Sequence, residues 1–132
     1  GPTLCVFSER CGRALALEHD GGVYSCDHYV YPEYRLGRLP GDSLAALANS
    51  PAAARLGEAK ASLPASCRAC PHRALCHGDC PKHRFVADPA ETAEAAALSY
   101  LCGDYRAFFG HITPTLDRMA ALLRAGRAPA EI

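Results

Sequence analysis

The stretch Cys67-Arg-Ala-Cys70-Pro-His-Arg-Ala-Leu-Cys76-His-Gly-Asp-Cys80-Pro81 decides the reading of this chain. It places four thiols within 14 residues, at gaps of two, five and three. Thiolates this close repel one another and lose hydration, so a cation or a covalent bond must compensate. Three compensations are open: disulfides, zinc and iron–sulfur cores. Cys5, Cys11, Cys26 and Cys102 lie outside the stretch and bring the total to 8. Eight cysteines permit four disulfides. A small disulfide scaffold, however, normally follows a secretory signal and carries few long helices. The N-terminus shows no basic region followed by an apolar run, and the C-terminal part reads as helical. Zinc held by cysteine alone favours two tight pairs. Cys67/Cys70 with Cys76/Cys80 would make one such site, leaving the other four cysteines without a role. The 6 histidines show no matching pair. A cubane iron–sulfur core needs four thiolates, so the cysteines make two sets with none left over.

The Cys-x3-Cys-Pro ending adds a detail. In ferredoxin-type runs the last cysteine serves the other cluster. Applied here, Cys80 leaves its run to join Cys5, Cys11 and Cys26, and Cys102 returns to complete Cys67, Cys70 and Cys76. Such an exchange would staple a thin core. The core is thin because alanine and cysteine make up 33 of the 65 residues behind the 49% hydrophobic fraction.

Outward from the centre, the 132 residues predict one α+β domain over 1–132. Residues 1–40 form a β-hairpin region: Arg13 to His19, a turn at Asp20-Gly21-Gly22, then Val23 to Val30. Residues 41–66 carry short helices, one capped by Ser43 and one started by Ser50-Pro51. Residues 67–83 form the cysteine-rich loop. Residues 89–126 form C-terminal helices: one striped by Leu98, Leu101, Tyr105 and Phe108, the next restarted at Thr113-Pro114. The second helix should bury Ile112, Leu116, Met119 and Leu123 and end at Gly126. The formal net charge is 0, which speaks against capture of nucleic acid or an anionic membrane. No apolar run is long enough for a transmembrane helix. Gly1-Pro2 reads as a scar, and a start so close to Cys5 reads as a piece of a longer protein.

The pattern Cys5-x5-Cys11-x14-Cys26, then Cys67-x2-Cys70-x5-Cys76-x3-Cys80, then Cys102 resembles the SPASM domain of anaerobic sulfatase-maturating enzymes. Those are radical S-adenosylmethionine enzymes. Glu18 to Asp27, Tyr34-Arg-Leu-Gly37, Cys76 to Arg84 and Tyr100-Leu-Cys102 are similar to that family's local text. The resemblance implies two auxiliary [4Fe-4S] clusters, one on Cys5, Cys11, Cys26 and Cys80, the other on Cys67, Cys70, Cys76 and Cys102. It implies a parent oxidoreductase that converts a cysteine or serine of a sulfatase into formylglycine, a post-translational modification. The clusters would carry away an electron, and Asp27 matches the family's general base. The family's Cys-x3-Cys-x2-Cys motif is absent. The resemblance therefore implies that S-adenosylmethionine binds a barrel domain of the same parent chain, and that this chain is not catalytic alone. His28 stands where the family more often has an apolar aromatic.

The expected partners are that barrel and a peptide or sulfatase-like protein substrate, in the cytoplasm, without nucleic acid or membrane. Cys26 and Asp27 are adjacent on an expected strand, so they should face opposite ways: thiolate to iron, carboxylate to substrate. Eight thiolates around two cubane cores carry a charge of about −4. Backbone N–H groups near Gly78, with Lys82, Arg84, Arg68 and Arg73, are the candidate compensators. Two other readings stay open: a standalone peptide-binding module using Tyr29, Tyr31 and Tyr34, and a zinc-stabilised structural module.

Overall fold

The computed structural model describes residues 4–11, 14–91 and 97–132. The turn chemistry at Asp20-Gly21-Gly22 forms as expected. The Asp20 carboxylate accepts the Gly22 N–H at 2.8 Å, and Gly21 N–H donates to the Glu18 carbonyl. The strands it joins are short, β1 at Ala16–Leu17 and β2 at Gly22–Tyr24. A third, β3 at Arg35–Arg38, pairs antiparallel with β2, giving the order β1-β2-β3. The extended run expected to continue to Val30 stops at Tyr24. Asp27–Tyr29 and Pro32–Tyr34 are 3-10 turns instead. Pro32 has no N–H to give a ladder and favours a tight turn.

Both helix starts form where their caps lie. Ser43 accepts the Ala46 N–H before α1, Leu44–Ala48, and Ser50 accepts the Ala53 N–H before α2, Pro51–Ala61. The cysteine-rich stretch is less irregular than expected. It holds two single-turn helices, α3 at Ala65–Arg68 and α4 at Arg73–Cys76, then a 3-10 turn at Pro81–His83.

The C-terminal expectation needs correcting. Part of the proposed 89–126 helical region is a strand: β5, Ala97–Ser99, pairs antiparallel with β4, Arg84–Ala87. Tertiary pairing overrides the helical spacing there, and residues 92–96 of that proposed helix lie outside the described residues. One continuous helix, α5, runs from Cys102 to Arg124 through Pro114. Pro114 removes one backbone donor, while the Thr113 hydroxyl donates to the Phe109 carbonyl at 2.6 Å. The helix ends at Gly126 in paired bonds, Gly126 N–H to Leu123 and Arg127 N–H to Leu122.

The expected buried face of α5 is largely open. Only Phe109 is buried; Leu116 and Leu123 are exposed, and Ile112 and Met119 are half-buried. The buried apolar residues are Val23, Tyr29, Leu47, Leu56 and Phe109, a small core for this length. Among the described residues no helix is long and apolar enough to cross a membrane.

This distribution sets a contrast. Val23→Ala, at a position with 0% exposure, should cost about 2 kcal/mol. Leu123→Ala, at 59% exposure, should change stability by no more than about 0.5 kcal/mol. Denaturant midpoints of the two variants check this; equal losses would contradict the placement of the core.

Candidate functional site

The eight thiols gather in two neighbourhoods. Cys67 ends in α3, Cys70 follows it, Cys76 closes α4, and Cys102 opens α5. All four line one cavity of about 390 Å³, with Tyr105 and Phe109 on its wall. That is on the order of ten times the ~30 Å³ share of one water, whereas a single tetrahedral zinc closes its ligands to about 2.3 Å. Four thiols around one cavity are a donor set that fits an iron–sulfur cluster. Burial raises the Cys67 thiol to about 11, with Cys102, Cys76 and Cys70 adding to the rise. Burial also raises Cys76 and Cys102, while the N–H groups of Gly78 and Asp79 pull Cys76 back. Phe7 meets Tyr105 and Phe109 edge-on, at 5.9 and 6.0 Å between centroids. This contact fixes the first turns of α5 against the N-terminal segment.

Cys11 is the link among the remaining thiols: Cys5 and Cys80 act on it, and it acts on Cys26. Burial raises Cys11, and Cys80 and Cys5 push it further up. Burial raises Cys26 to about 11, with Cys11 among its charged neighbours. Helix α2 packs directly on this segment. A Cβ on Gly57 would lie 3.1 Å from the Cys11 carbonyl oxygen. One turn on, Lys60 donates to the carbonyls of Cys5 and Val6. The Cys80 sulfur lies 3.7 Å from His28 Nδ1.

The turn Cys76-His77-Gly78-Asp79-Cys80 sends one sulfur to each neighbourhood. His77, Gly78 and Asp79 have φ of 47°, 73° and 63°, three successive left-handed residues. Arg84 holds them. Its guanidinium donates to the Gly78 carbonyl at 2.7 Å, to His77 at 3.1 Å and to Asp79 at 3.2 Å. Burial lowers the Arg84 pKa, and Cys67, Asp79, Cys11 and Cys80 oppose it, so this cation feels both neighbourhoods. The Asp79 carboxylate, 0% exposed, accepts from Ser99 Oγ at 2.7 Å and Tyr105 OH at 3.4 Å, and His83 Nδ1 lies 2.9 Å away.

The placement of Asp27 differs from expectation. Cys26 is not on a strand; it precedes the 3-10 turn, and Asp27 turns back toward it. The Cys26 thiol donates to Asp27 Oδ1 at 3.2 Å, and the His28 N–H donates to the same oxygen at 3.1 Å. The two side chains share a side. Cys26, Asp27 and His28 hold their ligand atoms within 4.8 Å of one another. The thiol's hydrogen bond holds the Asp27 pKa below its ordinary value.

Of the four candidate cations, Arg84 occupies the cysteine turn. Lys82 donates to the Tyr31 hydroxyl at 2.6 Å, Arg68 pairs with Glu91 at 2.9 Å, and Arg73 is exposed. Sequence reasoning missed Lys60 and Asp79. Lys60 sits in an alanine-rich helix where lysine ordinarily faces water. Asp79 had a readable signal, since aspartate after glycine tolerates left-handed backbone.

A family model described as an iron-sulfur cluster-binding domain, SPASM, matches residues 5–71. The serine-type anaerobic sulfatase-maturating enzyme of Bacteroides thetaiotaomicron is 39% identical over 133 residues, covering 99% of this chain and 31% of that protein. A cysteine-type anaerobic sulfatase-maturating enzyme of Clostridium perfringens is 29% identical over 116 residues, covering 88% of this chain and 30% of that protein. The solved structure of native anSMEcpe with bound AdoMet and Cp18Cys peptide matches with a TM-score of 0.75 at 28% identity, over 92% of this chain and 32% of that one. The chain thus spans about a third of the length of these relatives.

The raised thiols imply a pH dependence for the metal-free protein. Cys26 and Cys67 stand at about 11 when folded, against an ordinary 9.0. Between those values the folded state holds more protons than the unfolded one, so stability falls as pH rises through that window. Cys11, Cys76 and Cys102 shift the same way, and Lys60 alone cannot cancel them. Urea midpoints at about pH 8 and about pH 10.5 check the sign; a midpoint that rises with pH would contradict the burial.

Proposed function

The chain belongs to the SPASM family of iron-sulfur cluster-binding domains, and we propose on that premise that it is the auxiliary-cluster domain of a radical S-adenosylmethionine maturase of the sulfatase type. It holds two [4Fe-4S] clusters, one on Cys67, Cys70, Cys76 and Cys102, the other on Cys5, Cys11, Cys26 and Cys80. The observation that carries this reading is the gathering of Cys67, Cys70, Cys76 and Cys102, from three elements and the loop between them, around one cavity. Full cysteine ligation leaves no open iron position, so the clusters supply electron acceptance rather than substrate binding at iron.

The chain's own residues supply the rest. Arg84 holds the turn that divides Cys76 from Cys80. Asp27 is the base that takes the proton of a substrate hydroxyl or thiol. An aspartate is ionised at neutral pH, the form a base needs. When Cys26 gives up its proton to bind metal, Asp27 loses the donor 3.2 Å away. The His28 N–H remains as its donor at 3.1 Å. S-adenosylmethionine belongs to a barrel domain of the parent chain. The parent acts on a serine or cysteine of a peptide or sulfatase-like protein. A reducing cytoplasm suits eight free thiols destined for iron.

Anaerobic purification with iron and sulfide analysis tests the cluster reading. About eight iron and eight sulfide per chain are expected, with Cys102→Ala reducing both to about four. Zinc at one per chain without sulfide, in anaerobically loaded material, would sink it. Within the intact parent enzyme, Asp27→Asn should keep the iron content and lower turnover about 10²- to 10⁴-fold. Unchanged turnover would remove Asp27 from the chemistry.

A further inference from the structure

Lys60 is 1% exposed and, with Val23 and Asp79, one of the fully buried large side chains. Its ammonium donates to two neutral acceptors, the carbonyl of Cys5 and, at 2.9 Å, that of Val6. Taking such a charge out of water costs several kcal/mol, and neutral carbonyls recover only part of it. Among the described residues no carboxylate lies within ion-pair distance of Lys60. The buried carboxylate Asp79 is committed to Ser99, Tyr105 and His83. Burial lowers the Lys60 pKa and Arg84 adds to the fall, while the charges of Cys11, Cys5 and Cys80 oppose it. A buried cation bonded to the backbone of the Cys5 segment, on a helix packed against Cys11, calls for an anion nearby. Four thiolates around a [4Fe-4S] core provide one, with a charge of about −2.

We propose that Lys60 is the dedicated counter-charge of the Cys5, Cys11, Cys26 and Cys80 site, a positioning residue that holds the Cys5 segment and raises the reduction potential of that site alone. The inference rests on the cluster reading above. It is specific to one site because the other strong cation, Arg84, feels Cys67 as well as Cys11 and Cys80. Arg106, the cation that lowers Cys102, is exposed and screened by water. Lys60 sits in a helix that packs on the Cys5 and Cys11 segments, where low dielectric lengthens the reach of its charge. A nearby positive charge favours the state with one more electron. Removing it must lower the potential.

The test is an anaerobic redox titration of the loaded protein, with reduced clusters counted by spin resonance. Iron and sulfide are measured first for the unsubstituted protein, Lys60→Met and Lys60→Arg. In Lys60→Met one of the two clusters should become at least tenfold harder to reduce at a fixed potential, about 59 mV lower for one electron, while the other keeps its midpoint. Lys60→Arg should keep both midpoints. Loss of about half the iron in Lys60→Met but not in Lys60→Arg also supports the proposal, since the site then needs the charge to hold its anion. Unmoved midpoints in a fully loaded Lys60→Met protein would overturn it. So would equal behaviour of the two variants, whether as a shared shift or shared loss of iron, because packing and not charge would then be at work. Absence of iron and sulfide from the unsubstituted protein is a separate result. It removes the cluster reading and this inference with it.

Discussion

Both thiol neighbourhoods depend on the four-residue step from Cys76 to Cys80. Two cysteines so close would ordinarily bind one centre. Here three left-handed residues reverse the chain between them, and Cys76 lines the cavity of Cys67, Cys70 and Cys102 while Cys80 acts on Cys11. Such backbone is costly for His77 and Asp79, at about 1–2 kcal/mol each, and it persists because its polar groups are tied down on both sides. Arg84 takes the three carbonyls, while Ser99, Tyr105 and His83 take the Asp79 carboxylate. Ser99 comes from β5 and Tyr105 from α5, so the turn is also where the C-terminal elements lock onto the cysteine-rich centre.

That dependence explains why so small an apolar core suffices. The five buried hydrophobic residues among the described ones cannot alone offset the ordering of a chain this long. Polar ties cross the gaps instead, and each joins segments remote in sequence: Lys60 to Cys5, Asp88 to Ser66, Asp79 to Ser99. Occupied metal sites would add links of the same kind. Each proposed quartet draws its cysteines from distant segments, so binding there is also folding. The long helix α5 contrasts with this. It leaves most of its apolar stripe open beyond Phe109, and its fixed part is the first turns near Cys102, where Phe7 and Tyr105 meet.

What the sequence displayed and what it hid divide along physical lines. Local signals were readable because their energy is local. Ser43 and Ser50 cap their helices, Asp20-Gly21-Gly22 makes its turn, and Gly126 ends α5. The cysteine spacing was readable because thiol chemistry constrains it, and it led to the family before any geometry. Hidden features depend on partners far along the chain. β5 exists because β4 pairs with it, which helical spacing at Leu98 and Leu101 does not reveal. Pro114 marks a helix start by local rules, yet α5 continues through it. Asp27 was assigned the face opposite Cys26 by strand alternation, and the alternation fails because the backbone there is a 3-10 turn. Lys60 resembled a solvated lysine until α2 was packed on the Cys5 segment.

Asp27 and Lys60 both contact cysteines of one proposed quartet. Asp27 turns toward Cys26 at 3.2 Å, and Lys60 holds the carbonyl of Cys5. The cavity of Cys67, Cys70, Cys76 and Cys102, by contrast, is lined by His72, Arg73 and Arg106 and by no lysine among the described residues. Oxidising a substrate carbon requires a proton and an electron to leave nearly together. A base and a cation-stabilised acceptor serve that need best when they share a ligand segment. In the proposed reading, the Cys5, Cys11, Cys26 and Cys80 site is therefore the one beside the base. Arg84, sensed by both, favours the reduced form of either proposed centre and so leaves the difference made by Lys60 as it is.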